Sequence, residues 1–211
     1  MYCIGNHEDY QRCNNNDRIP VTDRPPTRCM NGQDIVFAID ASTSIGQRNF
    51  EILRDRLLRV LQGFNLDSWN SGDSSKVRVG ILTFANSARE VNRLDQFSLP
   101  SAEEIIYTRG RTYTDQGINL ARNTLFNYSR GDRPGNPNVL VILTDGNSSN
   151  RQAALNAAST FKNGGGRILA WGIGNRVDED ELRDIASSDS DVYTVRDFDE
   201  LGTELTRVFR C

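Results

Sequence analysis

Asp34-Ile35-Val36-Phe37-Ala38-Ile39-Asp40-Ala41-Ser42-Thr43-Ser44 is the stretch on which the fold turns. An unbroken apolar run between two aspartates, rich in β-branched side chains, has the length and character of a strand buried on both faces. The run stops at Asp40, and Ser42 and Ser44 follow at steps of two. One carboxylate and two short hydroxyls therefore share a tight loop at the carboxyl end of a buried strand. Oxygen donors of this kind suit a small, hard cation such as Mg²⁺.

Two distant segments extend the pattern. Val139-Leu140-Val141-Ile142-Leu143-Thr144 is a second buried-strand run, and it ends in Asp145-Gly146. Between the two strands lies Gly110-Arg111-Thr112-Tyr113-Thr114, a loop in which two hydroxyls flank Tyr113. Either threonine is chemically suited to join the set, Thr114 as an alternative to Thr112.

From Asp34 onward strands alternate with helices. Strands are expected at 34–40, 76–84, 138–144, 167–173 and 191–195, with a short antiparallel edge strand over Arg89–Leu94. Helices are expected at 47–62, 101–107, 115–128, 150–163, 178–187 and 197–209. In the first helix Phe50, Leu53, Leu57, Leu58 and Leu61 recur at three- and four-residue steps, with arginines between them. Asp197 with Glu200 reads as a capping box, and Gly164-Gly165-Gly166 ends the helix before it. The acidic run at 178–181 reads as a solvated first turn. Alternation of this kind gives a Rossmann-like α/β fold: an open, mostly parallel sheet with helices on both faces. Ligand sites in such sheets form beyond the carboxyl ends of the strands, where Asp40 and Asp145 both fall.

Asp-x-Ser-x-Ser, then Thr, then Thr-Asp-Gly, each after its own element, resembles the von Willebrand factor A domain family over Gln33 to Cys211. The resemblance implies that Asp40, Ser42, Ser44, Thr112 and Asp145 form a metal-ion-dependent adhesion site. It implies direct ligation by Ser42 and Ser44, exchange of Thr112 and Asp145 between direct and water-mediated contact, and Asp40 acting through water. Mg²⁺ is the expected ion, with Mn²⁺ and Ca²⁺ also compatible. Few direct carboxylates leave excess positive charge on the ion. An acidic side chain from a partner then completes the octahedron.

Composition narrows the function. Lys and Arg total 25 against 28 Asp and Glu, with no basic stripe, so no nucleic-acid binding is expected. No apolar run is long enough to span a bilayer, so no membrane insertion is expected, and the first residues do not read as a secretory signal. No catalytic base accompanies Ser42 or Ser44, and the single histidine, His7, lies in the polar N-terminal stretch. Gly172-Ile173-Gly174 is too short a glycine pattern for a dinucleotide site. The chain is therefore not expected to be an enzyme.

Residues 1–32 read as an irregular extension and 33–211 as the folded domain. The four cysteines, Cys3, Cys13, Cys29 and Cys211, bracket that domain as disulfides do in secreted modules. Cys29 precedes the first strand, and the last helix should end at the same pole. This favours Cys29 with Cys211 and leaves Cys3 with Cys13 as a local loop. Arg130-Gly131-Asp132 sits among loop-forming residues and is expected to be exposed, as an integrin ligand or as a chance tripeptide. By strand direction it lies at the pole opposite the metal. Asn127-Tyr128-Ser129 and Asn147-Ser148-Ser149 fit N-glycosylation.

The resemblance points to the matrix branch of the family, beside matrilins, collagen VI and invertebrate byssal or shell matrix proteins. The expected role is a secreted extracellular-matrix adhesion module that binds matrix protein, collagen foremost. The alternatives are a structural spacer with an idle metal site and the ectodomain of an adhesion receptor.

Overall fold

Asp34–Asp40 forms β1, and all seven of its residues are buried. That degree of burial requires cover on both faces, and the alternation of a strand distributes it. Ile35, Phe37 and Ile39 point to one hydrophobic layer and Val36 and Ala38 to the other. β4 (Asn138–Thr144) repeats the scheme: Val139, Val141 and Leu143 join the first layer, Leu140 and Ile142 the second. The structure is a computed structural model that describes residues 32–68, 73–96, 98–175 and 177–209.

The remaining strands are β2 (Arg78–Phe84), β3 (Ala88–Asn92), β5 (Arg167–Ile173) and β6 (Val192–Val195). The sheet runs β3-β2-β1-β4-β5-β6. Every pairing is parallel except β2 with β3, the antiparallel edge. β1 therefore lies inside the sheet between β2 and β4, with its carboxyl end beside theirs.

Helix α1 (Gln47–Leu61) buries Phe50, Leu53, Leu57 and Leu61 on the first layer. Beside it lies α5 (Phe198–Phe209), whose Phe209 meets Phe37 edge-on at 5.8 Å. Helices α2 (Thr114–Leu120) and α3 (Arg151–Asn163) cover the opposite face, and α4 (Glu179–Ile185) packs on β5. Gly172 admits α4: a Cβ there would lie 2.3 Å from Val177 and 2.7 Å from Leu182. Among the described residues, no helix is long and apolar enough to cross a membrane.

Two expected helices differ from the structure. The helix expected over 101–107 is a single 3₁₀ turn, Ala102–Glu104. The Ser101–Glu104 capping box starts it, but Ile105 turns extended and buries its side chain. The helix expected over 115–128 stops at Leu120 and widens into a π turn, Ala121–Leu125, closed by Phe126 N–H to Ala121 O at 2.8 Å. Ala121 and Leu125 are both buried, so the apolar spacing looks the same for either kind of turn and cannot separate them.

Candidate metal centre

The carboxyl edge of β1 and β4 gathers the polar residues singled out above. Asp40 has no solvent exposure. Its Oδ1 accepts the Ser42 N–H at 2.8 Å, and its Oδ2 accepts the Thr144 hydroxyl at 2.7 Å. Ser42 is equally buried, and its Oγ lies 2.9 Å from Ser44 Oγ. Ser44 Oγ in turn donates to Asp145 Oδ1 at 2.9 Å. A continuous hydrogen-bonded chain thus runs from the floor of the site to its surface, joining residues more than a hundred positions apart.

The Thr112 loop is fastened to this chain through its backbone. Arg109 N–H donates to Ala41 O, and Thr43 N–H donates to Gly110 O, both at 2.9 Å. Thr43 Oγ1 accepts the Gly110 N–H at 2.9 Å. Arg109 and Gly110 are both left-handed, at φ 63° and 104°. At Gly110 a Cβ would lie 2.6 Å from the Asn86 side chain, so glycine suits both the turn and the space. Thr112 is clasped from the other side: its N–H donates to Ser149 Oγ at 3.0 Å and its carbonyl accepts the Ser149 N–H at 2.7 Å. The Thr114 hydroxyl accepts from Ser148 at 2.6 Å. Of the two threonines, Thr114 is thus tied to the loop after β4.

Burial dominates the electrostatics. It pushes the Asp40 carboxyl up to about 6, with the charge of Asp145 acting in the same direction. The hydrogen bonds from Ser42 and Thr144 hold it down. Oxygen is the only donor element here, and two of the five candidates are carboxylates. No group of three or more His, Cys, Asp or Glu able to hold a metal occurs among the described residues. The donor set therefore fits a hard divalent cation held with little negative charge.

Sequence reasoning passed over several residues that hold this loop system. Glu181 belongs to the acidic run read as solvated, yet it is 3 % exposed. Its carboxylate accepts the Ser148 N–H at 3.0 and 3.2 Å. Asp178 caps α4 by accepting the Glu181 N–H at 3.0 Å and pairs with Arg151 at 3.0 Å. That turn is a clamp on the loop after Asp145, a contact between α4 and a distant loop with no local signature. The bond from Thr144 to Asp40 and the Asn86 side chain, which accepts the Arg111 N–H at 2.8 Å, escaped for the same reason: each partner lies far away in sequence.

The Arg130-Gly131-Asp132 segment departs from the expected open loop. Gly131 is buried at φ 96°, where a Cβ would lie 2.4 Å from Asp95 N. Its carbonyl accepts from Arg78 at 2.8 Å, while Arg130 pairs with Glu90 at 3.3 Å. One carboxylate oxygen of Asp132 is buried. Tertiary packing of Gly131 on Leu94 and Asp95 makes this a packed corner. It sits beside the amino ends of β1 and β4, where Arg133 pairs with buried Asp34 at 2.6 Å. Asn127 and Asn147 are exposed. Cys3, Cys13, Cys29 and Cys211 lie outside the described residues.

Comparison with known proteins agrees with this architecture. The family model for the von Willebrand factor type A domain matches residues 34–207. Matrilin-1 of Gallus gallus is 31 % identical over 159 residues, covering 73 % of this chain and 30 % of its own. The collagen alpha-1(XX) chain of Homo sapiens is 31 % identical over 189 residues, covering 84 % and 14 %. The chain thus spans less than a third of these relatives. Proximal thread matrix protein 1 from the mussel byssus, solved with a zinc-occupied MIDAS motif, superposes with a TM-score of 0.70 at 26 % identity, over 85 % of this chain and 46 % of that one. Manganese-loaded TRAP protein of Plasmodium vivax shares the fold at a TM-score of 0.65 and 18 % identity, over 85 % and 75 %. Kinship with matrilins, collagen chains and a byssal matrix protein places the chain among secreted extracellular-matrix proteins. The chain belongs to the von Willebrand factor type A domain family.

Proposed function

We propose that this domain is an adhesion module of the extracellular matrix. It takes an acidic side chain of a matrix protein, collagen foremost, at a Mg²⁺ held by Asp40, Ser42, Ser44, Thr112 and Asp145. The observation that carries the reading is the chain of bonds Asp40–Ser42–Ser44–Asp145 at the carboxyl edge of β1 and β4. Its oxygens already converge, so binding an ion requires exchange of short hydrogen bonds rather than rebuilding of loops. Related proteins with a zinc-occupied MIDAS motif or a manganese load support a divalent cation. Magnesium is the choice of the oxygen-only donor set, with Mn²⁺ and Ca²⁺ chemically close.

When bound, the ion supplies a Lewis-acidic position that an acidic side chain of the partner can occupy. The residues of this chain do the rest. Asp40, held by Ser42 and Thr144, anchors the base of the site. Ser42 and Ser44 contribute neutral oxygens, which leave the ion's charge largely uncompensated. The backbone clasp between Thr112 and Ser149 holds the second loop against the first, and Glu181 holds the third. We read the module as non-catalytic, in keeping with its kinship to matrilins and collagen chains.

Binding of the purified domain to immobilised triple-helical collagen, in Mg²⁺ and again in EDTA, tests the proposal. Binding is expected in Mg²⁺ and lost in EDTA. Equal binding in both would make the site a bystander. Absence of binding in both would remove collagen as the partner.

A further inference from the structure

Two glycosylation motifs remain without a role, one at each pole of the domain. We propose that Asn127, in preference to Asn147, carries an N-linked glycan when the chain passes through an animal secretory pathway. The reaction is a group transfer from an oligosaccharide held through its C1 on a lipid diphosphate. The C1–oxygen bond to the diphosphate breaks, a C1–Nδ2 bond to asparagine forms, and one Nδ2 proton is lost to a base of the transferase. The lipid diphosphate departs, and nothing is oxidised or reduced.

The first motif is complete within its own three residues. Asn127 Oδ1 accepts both the Ser129 N–H at 3.0 Å and the Ser129 hydroxyl at 2.9 Å. Amide and hydroxyl, the two groups the motif requires, are therefore already adjacent. Only Asn127 and Ser129 themselves are involved, so the arrangement does not depend on the finished fold. All three residues are exposed, Tyr128 by 80 %, and a glycan there meets open solvent.

The second motif is exposed at Asn147 and Ser149 too, but its two serines are engaged by distant parts of the fold. Ser149 Oγ accepts the Thr112 N–H and Ser149 N–H donates to Thr112 O, so its third residue is turned toward the Thr112 loop. Ser148 is bound through its N–H to Glu181 and through its hydroxyl to Thr114. A glycan on Asn147 would stand two residues from Asp145, over the face that receives a partner. At Asn127 it stands at the opposite pole, three residues before Arg130, and shields the Arg130–Asp132 corner while the metal face stays open.

The test is a site map of the full chain secreted from animal cells. The glycoprotein is treated with peptide N-glycosidase in heavy-oxygen water, and labelled aspartate is located by mass spectrometry. Label is expected at position 127 in the majority of molecules and at 147 in a minority. Asn127→Gln and Ser129→Ala should each abolish the main glycosidase-sensitive gel shift, whereas Asn147→Gln should retain it. Absence of label at 127, or equal label at 127 and 147, overturns the proposal. The wild-type map decides the matter even if a variant is not secreted.

Discussion

Replacing Asp40 by Asn separates what a buried carboxylate costs the fold from what it would give the proposed metal site. Asp40 has no solvent exposure, and burial raises its carboxyl from an ordinary 3.8 to about 6. A raised carboxylate means that the folded state binds a proton more tightly than the unfolded chain. Stability therefore falls as pH rises from about 4 to about 6, and the whole cost is present above that window. At about 1.4 kcal/mol for each tenfold change in proton affinity, the buried charge costs the metal-free fold about 3 kcal/mol at neutral pH. Asn keeps the size and can accept the Ser42 N–H while offering its amide to Thr144, so it removes the charge with little loss of packing. In EDTA at pH 7.5 the Asp40→Asn domain should be more stable than wild type by up to about 3 kcal/mol, and the gap should close toward pH 4. In saturating Mg²⁺ the order should narrow or reverse, because only the wild type gains from the ion. Urea unfolding at pH 4.5, 6 and 7.5, with EDTA or with Mg²⁺, reads all three expectations. A variant less stable than wild type in EDTA at pH 7.5, or a gap that ignores pH, would refute the reasoning.

Further predictions follow from the clamps around the site. Glu181→Gln keeps the shape but weakens a charge-assisted bond to Ser148. It should lower metal affinity about tenfold by titration calorimetry, in line with other groups that position ligands, and an unchanged affinity would remove Glu181 from that role. Arg133→Ala leaves Asp34 buried without its guanidinium and should cost about 3–5 kcal/mol in urea unfolding at neutral pH, with no change in metal affinity per folded molecule. Burial already raises the Asp34 carboxyl against the pull of Arg133, so the Arg133→Ala loss should shrink as pH falls and Asp34 takes up a proton. Reduction of a Cys29–Cys211 bridge should lower stability by ~4–5 kcal/mol in the chain-entropy model, and equal urea midpoints with and without reductant would exclude the bridge. That bridge would restrain the last helix, whose Phe209 already meets Phe37 and Phe64, each at 5.8 Å. A domain restrained in this way should bind constitutively, with Mg²⁺-dependent affinity altered by reduction.

The sequence by itself determined the sheet and which polar residues meet at its carboxyl edge. Apolar runs of five residues, Ile35–Ile39 and Val139–Leu143, read as strands covered on both faces, and alternation with helices makes such strands parallel with their carboxyl ends at one edge. That pattern puts Asp40, Ser42, Ser44 and Asp145 at one edge of the sheet. Periodicity also located α1, α3 and α5 to within a residue or two at each end, because their apolar stripes are long. It failed over 101–107 and past Leu120, where a buried Ile105 and a π turn preserve the apolar spacing while changing the backbone.

The tertiary structure alone decided which side chains stand beside which. Glu181 looks solvated until Ser148 arrives against it. Thr114 is equivalent to Thr112 until Ser148 takes its hydroxyl. Arg130-Gly131-Asp132 reads as an open loop until Gly131 closes on Asp95. Each of these contacts joins residues far apart in the chain, and a sequence read locally carries the propensity of a segment but not the neighbour that packing brings to it.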